Sequence, residues 1–501
     1  MRQYSKTACL LAIMGMAVFS VAAHAQCASP AAGDFYVDKD NGSASDSANG
    51  HYTTTSGGTG PFKTIQHLVD VLQAGQCGWV RQSATPYYEN VWRAGDYSGI
   101  TFTHGGTSDT ARVFVSGYPG ERPIVDQQRA AAGHGYSLAG FFVYSGSYIT
   151  IKNFEVRNTT ASGILMNPSG PAMNYVNITG NFVHNMVGTG NPNNVGGIRI
   201  DYCHYCQITN NIVYNVGDDQ GADGINAFQP GNCVIANNLV YNAAIGVQLK
   251  QADQGHLNAH DIHGNIFANL NVAAYKMQVQ GAAGLAAPHN TTFHDNVVNN
   301  VPTAIWADLA EAGEQATNLT IYNNTFINTG RLAGLSNFSG VQIYNNIYDG
   351  SASTVAASPS FIFDTENPGS WTNQVSFYDN NLYFGRTASW EIETYNSPTT
   401  YSSLAAWQAA SREVKTPDLK AKFASPMFAS STLTVSSSLL AGNVSAFSLQ
   451  SGSPALTMGR NGDTVGAVRP GVSIGPTGVA LVGTPTATTP VPDPPSNVSV
   501  Q

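Results

Sequence analysis

The chain has 501 residues and a formal net charge of −9, with only 11% charged residues and no basic stripe, which argues against nucleic acid as a partner. Its 51 glycines and scarcity of long helix-forming stretches disfavour a helical bundle. The length would allow two or three domains, but the composition points to one long β domain.

At the start, Arg2 and Lys6 precede the apolar run CLLAIMGMAVFSVAA, and Ala23-His24-Ala25 fits a small-x-small cleavage site. Residues 1–25 therefore read as a secretory signal peptide, with a mature chain exported from a bacterial cell into the periplasm or beyond. The apolar run is short for a membrane span and no later segment approaches one. Cys27 and Cys77 can pair in an oxidising compartment. Cys203, Cys206 and Cys233 are too few and too closely spaced for a convincing zinc site, and an odd count leaves at least one thiol free or intermolecular.

Residues 26–135 read as an N-terminal cap and first coils. Within them GPFKTIQHLVDVLQAG places Ile65, Leu68, Val69 and Leu72 at helical spacing, a helix able to cover the first coil.

A repeat organises residues 136–355. The segments YITIKNFEV, YVNITGNFVHN, CQITNNIVYN, CVIANNLVYN, AHDIHGNIFAN, TTFHDNVVNN, LTIYNNTFIN and VQIYNNIYD alternate apolar and polar residues and turn at an Asn. That Asn falls at 153, 181, 211, 238, 265, 296, 324 and 346, with intervals of 22 to 31 residues. One repeat cannot bury its own apolar face, whereas stacked repeats share a core. The expectation is an all-β fold, a right-handed single-stranded parallel β-helix, with the Asn side chains forming an inward ladder. Cys206 and Cys233 both precede a ladder Asn by five residues, so they should stack on adjacent coils.

Most repeats carry a second short strand: GILM, GIRID, GINAF, GVQLK, AYKMQ, AIWAD. If Ile198 and Ile200 point inward, then Arg199 and Asp201, Asn226 and Phe228, Gln248 and Lys250, Lys276 and Gln278, and Trp306 and Asp308 form one outward strip. The loops GTGNPNNVG and GDDQGA enlarge one corner beside it and bring Asp218, Asp219 and Asp223. Beyond residue 355, residues 356–475 read as C-terminal coils and closing strands, and 476–501 as a Pro/Thr-rich tail or linker.

Such a strip suits an extended polysaccharide: Trp306 and Phe228 can stack on sugar rings while Gln248 and Gln278 hydrogen-bond them. For an acidic glycan, β-elimination needs a cation to neutralise the uronate carboxylate and a base for the C5 proton. Calcium or Arg199 can do the first, and a lysine of lowered pKa the second.

With GDFYVDKDNGSASDSANG, GTGPFKTIQHLV and YPGERPIVD near the start and SLQSGSPALTMG near the end, the chain resembles secreted β-helical polysaccharide lyases, nearest the family-nine pectate lyase group. The resemblance implies cleavage of an acidic polysaccharide such as pectate, with calcium as cofactor. Ala222-Asp223-Gly224-Ile225-Asn226 occupies that group's calcium-binding run, with Asp223 matching, Asn226 a milder oxygen ligand, Ala222 a lost one, Asp218 or Asp219 in the loop as its compensation, and Asp201 as the aspartate of the earlier coil. Gln248 stands where the group's basic lysine is expected. Lys250, two residues on, and Lys276, in Tyr275-Lys276-Met277, are the alternative bases, with Lys250 favoured by proximity. The histidines at 256, 260 and 263 lack HExxH spacing. A glycoside hydrolase using Asp201, Asp219 and Asp223, or a non-catalytic cell-surface carbohydrate binder, are the other readings. The expected partner is a polysaccharide met by a monomer, without nucleic acid or a membrane span.

Overall fold

A computed structural model describes residues 26–477 apart from 53–56, 129–136, 169, 187–194, 218–221, 251–258, 279–288, 309–315, 337, 351–360, 365–374, 386–389, 395–396, 412–418 and 431–440. The expected signal peptide and most of the Pro/Thr-rich tail lie outside these residues, as do Asp218, Asp219 and His256.

The repeat folds as a right-handed parallel β-helix. Each coil contributes one strand to a twelve-stranded parallel sheet that runs from Phe35–Val37 to Val375–Asp379. After an Asn turn, a second strand such as Ile212–Val216 follows, and then a third such as Asp223–Phe228. Every backbone ladder of a coil is thus completed by the coil above and the coil below. One continuous apolar cluster fills the interior from Val37 to Ala421, with Ile198, Ile200, Ile225, Val247 and Leu249 fully enclosed.

The turn after the first strand explains the Asn signal. Asn181, Asn211, Asn238, Asn265, Asn296, Asn324, Asn346 and Asn381 form a buried ladder, each side-chain amide donating to the next carbonyl oxygen at 3.0–3.1 Å. Asn381 is absent from the expected set, and Asn153 does not belong to it. Strand register places Phe154 at the ladder level, its N–H donating to Asn181 Oδ1 at 3.0 Å, while Asn153 fills the preceding turn position. That position is left-handed throughout: Asn153, Gly180, Asn210, Asn237, Gly264, Asp295, Asn323, Asn345 and Asn380 all have positive φ. Gly, Asn and Asp are the residues that tolerate this.

The third strand opens on a stack of small residues for a packing reason. At Gly140, Gly163, Gly197 and Gly224 an added Cβ would lie 2.2–2.3 Å from a methyl of Val156, Val183, Val213 and Val240 respectively. Gly224 is therefore closed in beside Ile225, and Asp223 next to it is bonded by Asn226 of the outward row.

At the N-terminus, helix Ile65–Val71 buries Ile65, Leu68 and Val69, as its spacing predicts. The buried Glu89 carboxylate accepts from the N–H groups of Ile65 and Gln66, both at 2.7 Å, satisfying two otherwise orphaned donors. Cys27 is bonded to Cys77. Cys206 and Cys233 stack in register, with Cys203 and Cys206 sulfurs together and Cys233 buried and free.

The segment expected as closing strands carries three short 3-10 helices, Ala441–Phe447, Pro454–Leu456 and Arg460–Gly462. It then turns back along the outside of the coils. Met458 O accepts from Asn380 Nδ2 at 2.8 Å and Arg460 N donates to Asn345 Oδ1 at 2.8 Å. Further on, Ala467 N donates to Thr325 Oγ1 at 2.9 Å, Gly475 N to Gly264 O at 2.7 Å, and Thr477 N to Asn210 Oδ1 at 3.1 Å. Ala467 and Ile474 cover a second apolar row containing Ile212, Leu239, Ile266 and Val297. This strap explains why those residues, outside the main core, are apolar.

Candidate functional site

Strand register builds the outward strip as expected. Arg199, Asn226, Gln248, Lys276 and Trp306 stand in one row, and Asp201, Phe228, Lys250, Gln278 and Asp308 in the next. Adjacent coils are about 4.8 Å apart, so residues more than a hundred positions apart in sequence share one surface. The strip is less exposed than an ordinary sheet face. Asp201, Asp223, Asn226 and Gln248 are buried, while Arg199, Phe228, Lys250, Lys276, Gln278 and Trp306 are half-buried.

Arg199 and Asp201 form a two-point ion pair, Nη2 to Oδ2 at 2.6 Å and Nε to Oδ1 at 3.1 Å. Asn167 donates to the same carboxylate at 3.1 Å, and Tyr97 bonds Arg199. Burial raises the pKa of Asp201, and Arg199 opposes the rise. Neither Asn167 nor Tyr97 was expected. Asn167 was within reach of the register, since it continues GILM by one residue and so lies level with Asp201.

Asp223 is fully enclosed, and burial pushes its carboxyl up to about 7 against the opposing influence of Lys250 and Asn226. Asn226 Nδ2 donates to Asp223 Oδ2, while Asp223 Oδ1 is buried without a hydrogen-bond partner. Burial lowers the pKa of Lys250; Asp223 and Asp201 resist this, while Arg199 and Lys276 push the same way as burial. Lys250, like Arg199, thus lies within the field of both carboxylates. Lys276 is placed differently, its ammonium 4.4 Å from the centre of the Trp306 ring. Gln248 Nε2 donates to Gln278 Oε1 at 2.8 Å, and Phe228 packs edge-on against Tyr202 at 5.3 Å.

The described donors do not fit a calcium ion. Calcium takes six to eight oxygens. Here Asp201 is neutralised by Arg199, Asn226 turns its amide nitrogen rather than its oxygen to Asp223, and Lys250 adds positive charge at the same place. Asp219 lies in 218–221, outside the described residues.

A second polar cluster stands on the twelve-stranded sheet: Asp261, His263 and His294, with one potential ligand atom of each within 4.8 Å of the others. His294 carried no sequence signal, because it is a lone histidine 31 residues from His263 that only register brings alongside. His260 is buried and apart from this group's outer face.

The family described as right handed beta helix region matches residues 139–382. No curated protein matches the chain. Among solved structures, pectate lyase Pel9A is similar at 17% identity over 65% of this chain and 77% of that one, with a TM-score of 0.43. A lacto-N-biosidase from Eubacterium ramulus is similar at 12% identity over 78% and 67%, TM-score 0.47. PfbA, a surface adhesin of Streptococcus pneumoniae, is similar at 12% identity over 64% and 79%, TM-score 0.34. A fold does not by itself fix a function, so the choice rests on the site.

Proposed function

We propose that this protein is a polysaccharide lyase that cleaves an acidic, uronate-containing glycan by β-elimination, with Lys250 as the base. The observation that carries the reading is the half-buried Lys250, held below the ordinary lysine range by burial and flanked by Arg199 and Lys276 on the outward strip. A glycan lying across the coils would meet Trp306 as a stacking platform and Gln248 and Gln278 as hydrogen-bonding groups. Lys276 would face the uronate carboxylate, and its positive charge would make the C5 proton more acidic. Neutral Lys250 takes that proton, the C4–O bond breaks, and the electron pair forms the C4–C5 double bond. The departing oxygen takes its proton from water at the open face of the strip. Arg199 is engaged with Asp201 and serves to hold the strip's shape. Neutralisation in this scheme rests on the chain's own cations rather than on calcium.

Hydrolysis is the second reading, and the presence of two carboxyls, Asp201 and Asp223, beside the strip is what favours it. Incubating the protein with a panel of acidic glycans separates the two. Elimination produces the ultraviolet absorbance of an unsaturated uronate that is lost in Lys250→Ala, whereas new reducing ends without that absorbance refute the lyase reading in favour of hydrolysis. Silence on every substrate from a folded protein would point to a non-catalytic binder.

In the exported setting expected from residues 1–25, the glycan would be extracellular or periplasmic. Among the described residues no helix is long and apolar enough to cross a membrane.

A further inference from the structure

We propose that Asp261, His263 and His294 bind a divalent transition-metal ion of the zinc, cobalt and nickel class, on a different sheet from the lysine strip and independently of its chemistry.

Register creates the group. Asp261 and His263 are two residues apart on strand Asp261–His263, so their side chains share a face. His294, on strand Thr292–His294, pairs directly with His263, and the two imidazoles stack at 5.0 Å with planes 13° apart. Asp261 Oδ1 lies 3.2 Å from His263 Nδ1 and 3.0 Å from His294 Nε2. Three donors of two kinds therefore converge on one point. Side-chain exposures of 31% for His263, 40% for Asp261 and 16% for His294 leave that point open to an entering ion.

Two further observations point to a ligand there. His263 Nδ1 is buried and meets only Asp261 Oδ1, at 3.2 Å and off hydrogen-bond geometry. His294 Nδ1 is taken by Asp295 Oδ2 at 2.8 Å, and Asp295 is in turn held by Arg469. A carboxylate on the far nitrogen is the usual support of a metal-binding histidine, because it sets the tautomer and the ring orientation. His294 Nε2 meets Asp261 Oδ1 at 3.0 Å; an entering cation that displaces the proton there finds the ring still held through Nδ1–H by Asp295, with an Nε2 lone pair and a carboxylate oxygen side by side.

The donor chemistry names the class. Two imidazole nitrogens and one carboxylate oxygen suit zinc and its neighbours, and are a poor match for calcium or magnesium, which prefer oxygen. Three protein ligands leave a further position for water. Thr292 Oγ1 donates to Asp261 Oδ1 at 2.9 Å and steadies the carboxylate. Because Arg469 belongs to the C-terminal strap, an ion bound here links two adjacent coils to the segment lying over them.

The test uses tag-free, chelator-treated full-length protein titrated with zinc chloride by calorimetry and with cobalt chloride by visible absorption. One saturable equivalent of each metal is expected, with a zinc-induced rise in melting temperature. His263→Ala and His294→Ala should abolish that equivalent, and Asp295→Asn should weaken it by about 10–100-fold, as removal of a supporting carboxylate does. If an alanine variant fails to fold, His263→Gln and His294→Gln, which keep bulk and polarity, take its place, checked by circular dichroism. Absence of zinc binding by the wild-type protein overturns the proposal, as does an equivalent that survives in both histidine variants. Retained binding in Lys250→Ala is expected whatever the glycan assays show, which keeps this site separate from the lyase reading.

Discussion

Arg199 Nη2 lies 2.6 Å from Asp201 Oδ2, with the Asp201 side chain 1% exposed and that of Arg199 15%. Breaking such a pair from one side leaves a buried charge uncompensated, at a cost of about 3–5 kcal/mol. Arg199→Ala should therefore lower stability sharply in chemical denaturation. Asp201→Asn, which keeps the side chain's shape and leaves the charge on the less enclosed partner, should cost clearly less. Equal losses would show that packing, rather than charge, holds these residues together.

Lys250 and Lys276 should separate kinetically. Lys250→Ala should reduce kcat by about 10²–10⁴-fold, the usual contribution of a positioned base. Lys276→Ala should lower kcat by a smaller factor and also raise KM, because its charge both acidifies the C5 proton and holds the carboxylate. In the wild type, kcat/KM should rise with pH as Lys250 loses its proton. Asp223 is the strongest influence raising the Lys250 pKa, so Asp223→Asn should move that rising limb to lower pH whatever its effect on the maximum rate. A limb that stays put would disconnect the two residues.

Asp223 also predicts a pH-dependent stability. Its folded pKa of about 7 exceeds the ordinary 3.8, so the native state keeps a proton that the unfolded chain has already released between these values. Stability contributed by this group therefore falls as pH rises through that window, and the cost is complete above pH 7. Asp223→Asn should melt higher than the parent at pH 8, by a difference on the order of 2–4 kcal/mol that disappears near pH 4. A constant difference across that range would remove Asp223 as its source.

The Gly224 position can be tested by compensation. Gly224→Ala places a methyl 2.2 Å from Val240 Cγ1 and should destabilise by about 1–3 kcal/mol through overpacking. Adding Val240→Ala should recover part of that loss, since the Gly246 carbonyl at 2.9 Å still crowds the new methyl. If the double variant is less stable than either single one, the clash is not with Val240.

Much of the fold was legible because its signals are local and recur. Asn181 to Asn346 announce the ladder, and the i, i+2 alternation from Ile198 to Asp201 gives the facing of the strip. Asn153 misled because Asn also favours the left-handed turn one residue earlier, and only the pairing of Phe154 with Asn181 separates the two positions. At the site, rows could be read from spacing, whereas the side-chain partners could not. Whether Lys250 meets Asp223 or Lys276 meets Trp306 depends on where long side chains come to rest between coils. His294 beside His263 needed the register itself.

The strap has a consequence for how this molecule assembles. A solenoid held only by neighbouring coils gains and loses them one at a time, like beads on a string. Here residues 458–477 bond to turns from Asn380 back to Asn210, a stretch of chain that must already be stacked before they can dock. A segment later in the chain than every coil it touches thus acts as a clasp, closing only over finished coils and turning a stepwise unravelling into a concerted one.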